Sequence, residues 1–298
     1  MLIRPGLPKM VATDLDGTVV RSDGTVGAYT HEVLERLCAT GVPVVGVTGR
    51  GPRLLPLTRH DIPEADYLVL AQGGTVLDLT DREAASLHRG PAPHGPQSAL
   101  HGPGPAQPRR LRAATVPGWV VEGVLESLES VTGPLSILVE VLDAPEAPLW
   151  GEPNAAWRYP NAVERRTRAE ALAGPVLKTF AYWPDHSADE LLAYARELVP
   201  SDGVTVTQAG LGYIEICPPG VDKATGLAVV AAELGVDPHD VLVFGDMPND
   251  LPMFAWAGFG RVAVANAHPE VLAAADEITG SNDAEGVAAY LDQLVSNS

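Results

Sequence analysis

Short apolar runs that stop at polar turns alternate with helix-spaced apolar stripes near both ends of the chain, and the middle follows another rhythm. Met10-Val11-Ala12-Thr13 breaks into Asp14-Leu15-Asp16-Gly17-Thr18, which reads as a buried strand followed by a turn. Thr30 is placed to cap a helix whose Val33, Leu34, Leu37 and Cys38 form one stripe, with Gly41 as its left-handed stop. Residues 42–47 form a second apolar strand, ending in Thr48-Gly49-Arg50. A helical or irregular stretch through Leu57 leads to a third strand at 67–71 and the turn Gln72-Gly73-Gly74. Strand, helix and strand at this spacing predict βαβ units and a parallel sheet.

Residues 88–110 carry six prolines and four glycines and no periodicity, which predicts a surface loop or linker. Beyond them the pattern predicts a helix at 119–131, strands at 136–141 and 176–182, a helix at 188–199, and strands at 204–207 and 212–216 arranged as a hairpin. This third of the chain reads as an α+β module with a mainly antiparallel sheet. After Pro218-Pro219-Gly220 the βα rhythm returns: a helix from Lys223 to Gly235, a strand at 240–244 stopping at Gly245-Asp246, a short helix at 251–256, a strand at 261–265, and helices at 269–274 and 284–294. The expected architecture is α/β: a doubly wound, mostly parallel sheet built discontinuously from residues 1–85 and 217–298, with an α+β domain inserted at 86–216.

Charge narrows the partners. Twenty Lys and Arg face 38 Asp and Glu, a formal net charge of −18, so neither a nucleic-acid backbone nor an anionic membrane surface is an expected partner. Cys38 and Cys217 make no disulfide framework and no CxxC zinc pattern. With no apolar stretch of about 18 residues and no signal-like start, a cytoplasmic protein is expected. An acidic protein that handles an anionic ligand needs a local cation.

In an open parallel sheet, ligands bind beyond the carboxyl ends of the strands. The residues that follow the expected core strands are Asp14 and Asp16, then Thr48, then Gln72, then Asp246 with Asn249 and Asp250. Four of these seven are carboxylates, too many to share a small site ionised without a cation, and hard oxygen donors suit Mg²⁺. A metal held by carboxylates, with a lysine and a hydroxyl nearby, is equipment for phosphoryl transfer. There a carboxylate attacks phosphorus and a second carboxyl serves the leaving oxygen.

At Asp14-Leu15-Asp16-Gly17-Thr18 the chain resembles the haloacid dehalogenase superfamily of phosphohydrolases. The later motifs follow in order: Thr48 in Val47-Thr48-Gly49-Arg50, Lys223 in Gly220-Val221-Asp222-Lys223, and Gly245-Asp246-Met247-Pro248-Asn249-Asp250. The tail from Val262 through Asn266 to residues 281–287 resembles the Cof-type subgroup, whose large cap sits between the second and third motifs. The resemblance implies a Rossmann-like core and Asp14 as nucleophile and Mg²⁺ ligand. It makes Asp16 the general acid/base with a backbone contact to the metal. It implies Thr48 and Gly49 at the transferring phosphoryl, Lys223 neutralising it, and Asn249 contacting it. Asp246 and Asp250 would hold the metal or its waters, and Arg50 is a candidate substrate contact. The implied substrate is a small phosphorylated metabolite such as a sugar phosphate. Gln72-Gly73-Gly74 stands where the subgroup usually has Asn-Gly. A phosphotransferase or mutase on the same scaffold is the alternative, and a non-catalytic regulator binding a phosphorylated metabolite is a weaker one.

Each residue also has a plainer reading. Asp-x-Asp alone occurs in solvated turns, Thr48 alone reads as a helix cap, and Lys223 as a solvated residue of a first helical turn, although a cation is unfavourable there. Asp250 reads as a helix N-terminal acid. Arg165, Arg166 and Arg168 are expected on a solvated face, paired with Glu164 and Glu170. Trp119 and Trp256 are expected in the core.

Overall fold

The computed structural model describes residues 6–80, 108–142, 148–152, 163–200, 202–208 and 212–297. In chain order the elements are β1 (Met10–Thr13), α1 (Ala28–Ala39), β2 (Val44–Val47), α2 (Leu55–Asp61), β3 (Tyr67–Leu70), β4 (Thr75–Asp78), β5 (Arg109–Ala113), β6 (Val116–Pro117), α3 (Gly118–Thr132), β7 (Ser136–Glu140), β8 (Leu149–Gly151) and β9 (Val163–Arg165). They continue with α4 (Arg168–Ala171), β10 (Pro175–Val176), β11 (Lys178–Tyr182), α5 (Ala188–Leu198), β12 (Thr205–Gln208), β13 (Ile214–Cys217), α6 (Lys223–Leu234), β14 (Val241–Gly245), α7 (Leu251–Trp256), β15 (Gly260–Val264), α8 (Pro269–Ala274), β16 (Glu277–Thr279) and α9 (Gly286–Ser296).

The first sheet has the order β16-β15-β14-β1-β2-β3-β4-β5. It is parallel from β16 to β3 and antiparallel from β3 to β5. Its central strands are apolar on both faces, and every residue of β1, β2, β3 and β14 is buried, as expected of a sheet covered on both sides. The fold is α/β with a mixed sheet inserted between β5 and α6.

Three differences from the sequence reading have physical causes. β5 belongs to the first sheet, so that sheet runs past the expected boundary at residue 85. Arg109 pins β5 by pairing with Asp78 on β4 and with Glu233 on α6. Residues 88–107 of the Pro/Gly-rich segment lie outside the described residues. Thr30 does not cap α1; the cap position is Gly27, and Thr30 sits in the first turn. There its N–H and hydroxyl donate to the carboxylate of Glu285, 255 residues away, at 2.9 and 2.8 Å. Trp119 is 77% exposed rather than in the core. The buried face of α3 is Val121, Val124, Leu125 and Leu128, and position 119 lies off it. Trp256 is partly buried against the first core.

The inserted sheet has the order β12-β13-β11-β7-β8-β9. Ile137, Val139, Ala181, Ile214 and Ile216 face α3 and α5 and form the insert's core. The alternating residues present the other face, where Glu140 opposes Lys178 and Glu215 opposes Phe180 across the strands. In the basic cluster, Arg166 pairs with Glu164 and lies 4.1 Å over the Trp150 ring. Arg168 pairs with Glu122 and Glu129. Glu170 instead closes a capping box with Thr167 at the start of α4.

Candidate active site

β1 and β14 lie side by side in parallel register, with Thr13 opposite Phe244. The chain leaves both strands at one sheet edge, so Asp14 and Asp246 emerge together, and the Asp14 N–H donates to the Phe244 carbonyl at 3.0 Å. The Asp14–Thr18 turn is tied down by N–H donation from Thr18, Val19 and Val20 to the Leu15 carbonyl. Gly17 has φ +87°, and a Cβ there would lie 2.3 Å from a carboxylate oxygen of Asp246. Only glycine lets the turn approach that closely. The Thr18 hydroxyl donates to the other Asp246 oxygen at 3.0 Å.

Lys223, at the start of α6, is buried, and its ammonium donates to Asp14 Oδ1 and to Asp250 Oδ1, both at 2.5 Å. The second oxygen of Asp250 accepts the N–H groups of Asp246 and Met247, each at 2.9 Å. Asp250 thereby anchors both the lysine and the turn that carries Asp246. Asp14, Asp246 and Asp250 each offer an oxygen within 4.8 Å of the others. Burial pushes the Asp14 and Asp246 carboxyls well above the usual carboxylate range; Lys223 works against this and Asp250 adds to it. Burial works to lower the Lys223 ammonium, but Asp14 and Asp250 outweigh it and the net shift is upward. Three buried carboxylates around one ammonium leave a surplus of negative charge. Hard oxygen donors with that surplus fit a divalent metal ion, and the group could hold one.

Asp16 stands apart from this cluster. Its side chain is 58% exposed, and both oxygens accept from Arg50, at 2.6 and 2.7 Å. The guanidinium is fixed from behind by Asp61 at 2.6 Å. Arg50 is thus held by two carboxylates, in the fork geometry that arginine makes best. Thr48 follows β2 and is buried; its hydroxyl accepts the Arg50 N–H at 3.0 Å, and its carbonyl accepts the Gln72 N–H at 3.2 Å. The Asn249 amide donates Nδ2 to Gln72 Oε1 at 3.1 Å. Asp14, Lys223, Asp246 and Asp250 therefore converge directly, Thr48 and Asn249 both meet Gln72, and Asp16 and Arg50 form a separate clasp.

The insert reaches this rim with side chains that the sequence reading did not select. Lys178, buried in β11, donates to the Gly49 carbonyl at 2.5 Å and to Glu215 Oε1 at 2.7 Å. The other Glu215 oxygen accepts from Gln72 Nε2. Glu140 lies beside Lys178 and 3.7 Å from Arg53, and burial raises its carboxyl. Gln72 packs closely against Gly49: a Cβ there would lie 2.7 Å from Gln72 Nε2, and the amide would have to shift. One signal was available: the sequence contains only three lysines, Lys9, Lys178 and Lys223. A lysine so rare within an apolar strand asks for a buried partner.

The family model of the haloacid dehalogenase-like hydrolases matches residues 11–89 and 160–291. The chain belongs to this family. Its place is the Cof-type subgroup with the mixed-sheet insert. The chain is 26% identical over 322 aligned positions to the 5-amino-6-(5-phospho-D-ribitylamino)uracil phosphatase YwtE of Bacillus subtilis, covering 97% of this chain and 98% of that one. A stretch of 75 residues is 51% identical to the B. subtilis stress response protein YhaX, about a quarter of either chain. The fold matches the subclass IIB sugar phosphatase BT4131 with a TM-score of 0.72 and 17% identity, over 95% of this chain and 98% of that one. Among the described residues no helix is long and apolar enough to cross a membrane.

Proposed function

We propose that this hydrolase is a Mg²⁺-dependent phosphatase that cleaves a small phosphate monoester through an aspartyl-phosphate on Asp14. The observation that carries the reading is the Lys223 ammonium bridging Asp14 and Asp250 at 2.5 Å beside Asp246. It orients a carboxylate whose free oxygen can approach phosphorus, and it leaves the charge surplus that a divalent ion would balance. The phosphatase YwtE and the sugar phosphatase BT4131 are consistent with this class of substrate. Asp14, Asp246 and Asp250 would hold the Mg²⁺, with the Asp16 backbone at its side, and the ion supplies charge neutralisation at the phosphoryl oxygens.

Asp14 attacks phosphorus as the ester P–O bond breaks, and the leaving oxygen takes a proton from Asp16. Asp16 then removes a proton from water, which attacks phosphorus and frees Asp14. Lys223 neutralises the phosphoryl oxygens throughout, while Thr48, Gly49 and Asn249 border them. In the present clasp both Asp16 oxygens accept from Arg50, so acid catalysis requires the clasp to open. An arriving phosphate dianion competes for the same guanidinium, which makes Arg50 the group that exchanges one anion for the other.

Asp14→Asn is expected to abolish release of p-nitrophenol from p-nitrophenyl phosphate while the far-UV spectrum stays native, and EDTA is expected to do the same reversibly. Turnover surviving in the variant would overturn the covalent route; turnover surviving excess EDTA would overturn the metal.

A further inference from the structure

The hydrogen bonds that run from the insert to Asn249 have a fixed direction. An ionised carboxylate only accepts. One oxygen of Glu215 accepts from Lys178, whose ammonium also serves the Gly49 carbonyl. The other oxygen must meet a donor, and Gln72 meets it with Nε2. The Gln72 amide therefore turns Oε1 to Asn249, and Asn249 can answer only with Nδ2, at 3.1 Å. This leaves the Asn249 carbonyl oxygen buried without a hydrogen-bond partner, on a side chain in a residue 5% exposed. An isolated amide would turn over to relieve such an oxygen. Here the Lys178–Glu215 ion pair, two residues up the relay, forbids it.

A buried acceptor left open costs enough that a ligand which fills it gains selectivity over one that does not. A phosphate dianion carries only acceptors and cannot fill it. A hydroxyl can. Asn249 shares a short turn with Asp250, itself bonded to Lys223, so on the phosphatase reading a donor that fills its open oxygen would belong to the part of the substrate next to the phosphoryl group. Glu215 and Lys178 come from the inserted sheet, and Gln72 and Asn249 from the first, so the relay exists only while the two are in contact.

We propose that Glu215 and Gln72 are positioning residues that lock the Asn249 amide with its oxygen open, and that the site thereby prefers phosphate esters bearing a hydroxyl close to the ester oxygen. This rests on the phosphatase reading above. Glu215→Gln reverses the relay: the new amide can donate to Gln72 Oε1, Gln72 then offers Nε2 to Asn249, and the Asn249 oxygen accepts it and is no longer open. Glycerol 1-phosphate, with a hydroxyl beside the ester carbon, and p-nitrophenyl phosphate, with none, are the two probes, assayed with Mg²⁺. The ratio of kcat/KM for the first to that for the second is expected to fall about tenfold in Glu215→Gln. Gln72→Met, which keeps the Lys178–Glu215 pair, is expected to lower the same ratio and covers the case in which Glu215→Gln does not fold. A ratio within about twofold of the parent in either folded variant, or an equal loss on both probes, overturns the assignment, because the amide would then serve the phosphoryl group itself. Parent protein that hydrolyses neither probe overturns the phosphatase reading and takes this inference with it.

Discussion

Two buried lysines, Lys223 on α6 and Lys178 on β11 of the insert, differ in the charge balance of their surroundings. Lys223 is ringed by Asp14, Asp246 and Asp250, three carboxylates to one ammonium. Lys178 is set in a group where Glu215 and Glu140 are matched by Lys178 and Arg53. Both groups are buried and both use charge-assisted hydrogen bonds. The first is incomplete without an outside cation, which is what a reaction centre for anions needs; the second is closed, which is what a joint between two parts of a chain needs. Burial and short distances alone do not separate a site from a joint. The sum of the charges does.

The comparison is broken most sharply at Lys223. Lys223→Met is expected to lower turnover of an aryl phosphate by about 10³-fold or more, since it removes the cation that orients Asp14 and neutralises phosphate; residual activity within tenfold of the parent would make this lysine a joint too. Lys178→Met leaves Glu215 buried without its ion partner and is expected to cost about 3–5 kcal/mol in chemical denaturation. Replacing Lys178 and Glu215 together by Met is expected to recover most of that loss, as a balanced joint should allow. Mg²⁺ at a hundredfold excess over its Kd is expected to stabilise the parent by about 2.7 kcal/mol. That gain is expected to vanish in Asp246→Asn and to survive in Lys178→Met, so a joint variant that loses the Mg²⁺ response would erase the distinction. Asp16→Asn, at an exposed clasp, is expected to change stability by no more than about 1 kcal/mol while slowing turnover by about 10²–10⁴-fold. Trp119→Ala is expected to stay within about 0.5 kcal/mol.

The rim was legible in the sequence because each of its residues marks an abrupt change from an apolar strand to a polar turn. Asp14 after Met10–Thr13 and Asp246 after Val241–Gly245 are breaks in pattern that have no packing explanation. The joint was not legible for the converse reason. Glu140, Lys178 and Glu215 alternate with apolar neighbours on their strands, and that alternation is the ordinary signature of a strand with one wet face. Here the face is covered by Gly49, Gln72 and Arg53 from the other end of the chain, and nothing local reports it. β4 and β5 were missed because the Gly-Gly turn and the Pro/Gly-rich segment mask the strands beside them. Thr30 was misplaced because its partner, Glu285, lies at the opposite end of the sequence.

β1 takes its neighbours from both ends of the chain, β2 soon after it and β14 some 230 residues later. During synthesis the nascent amino-terminal half emerges with one flank of its middle strand bare, while β6 to β13 already hold all of their own pairings. Long-range closure of this kind is slow and exposes strand edges in the meantime. The ribosome therefore delivers the insert before the first sheet can close, and the acids that would make the protein reactive meet only when nearly the whole polypeptide has been made.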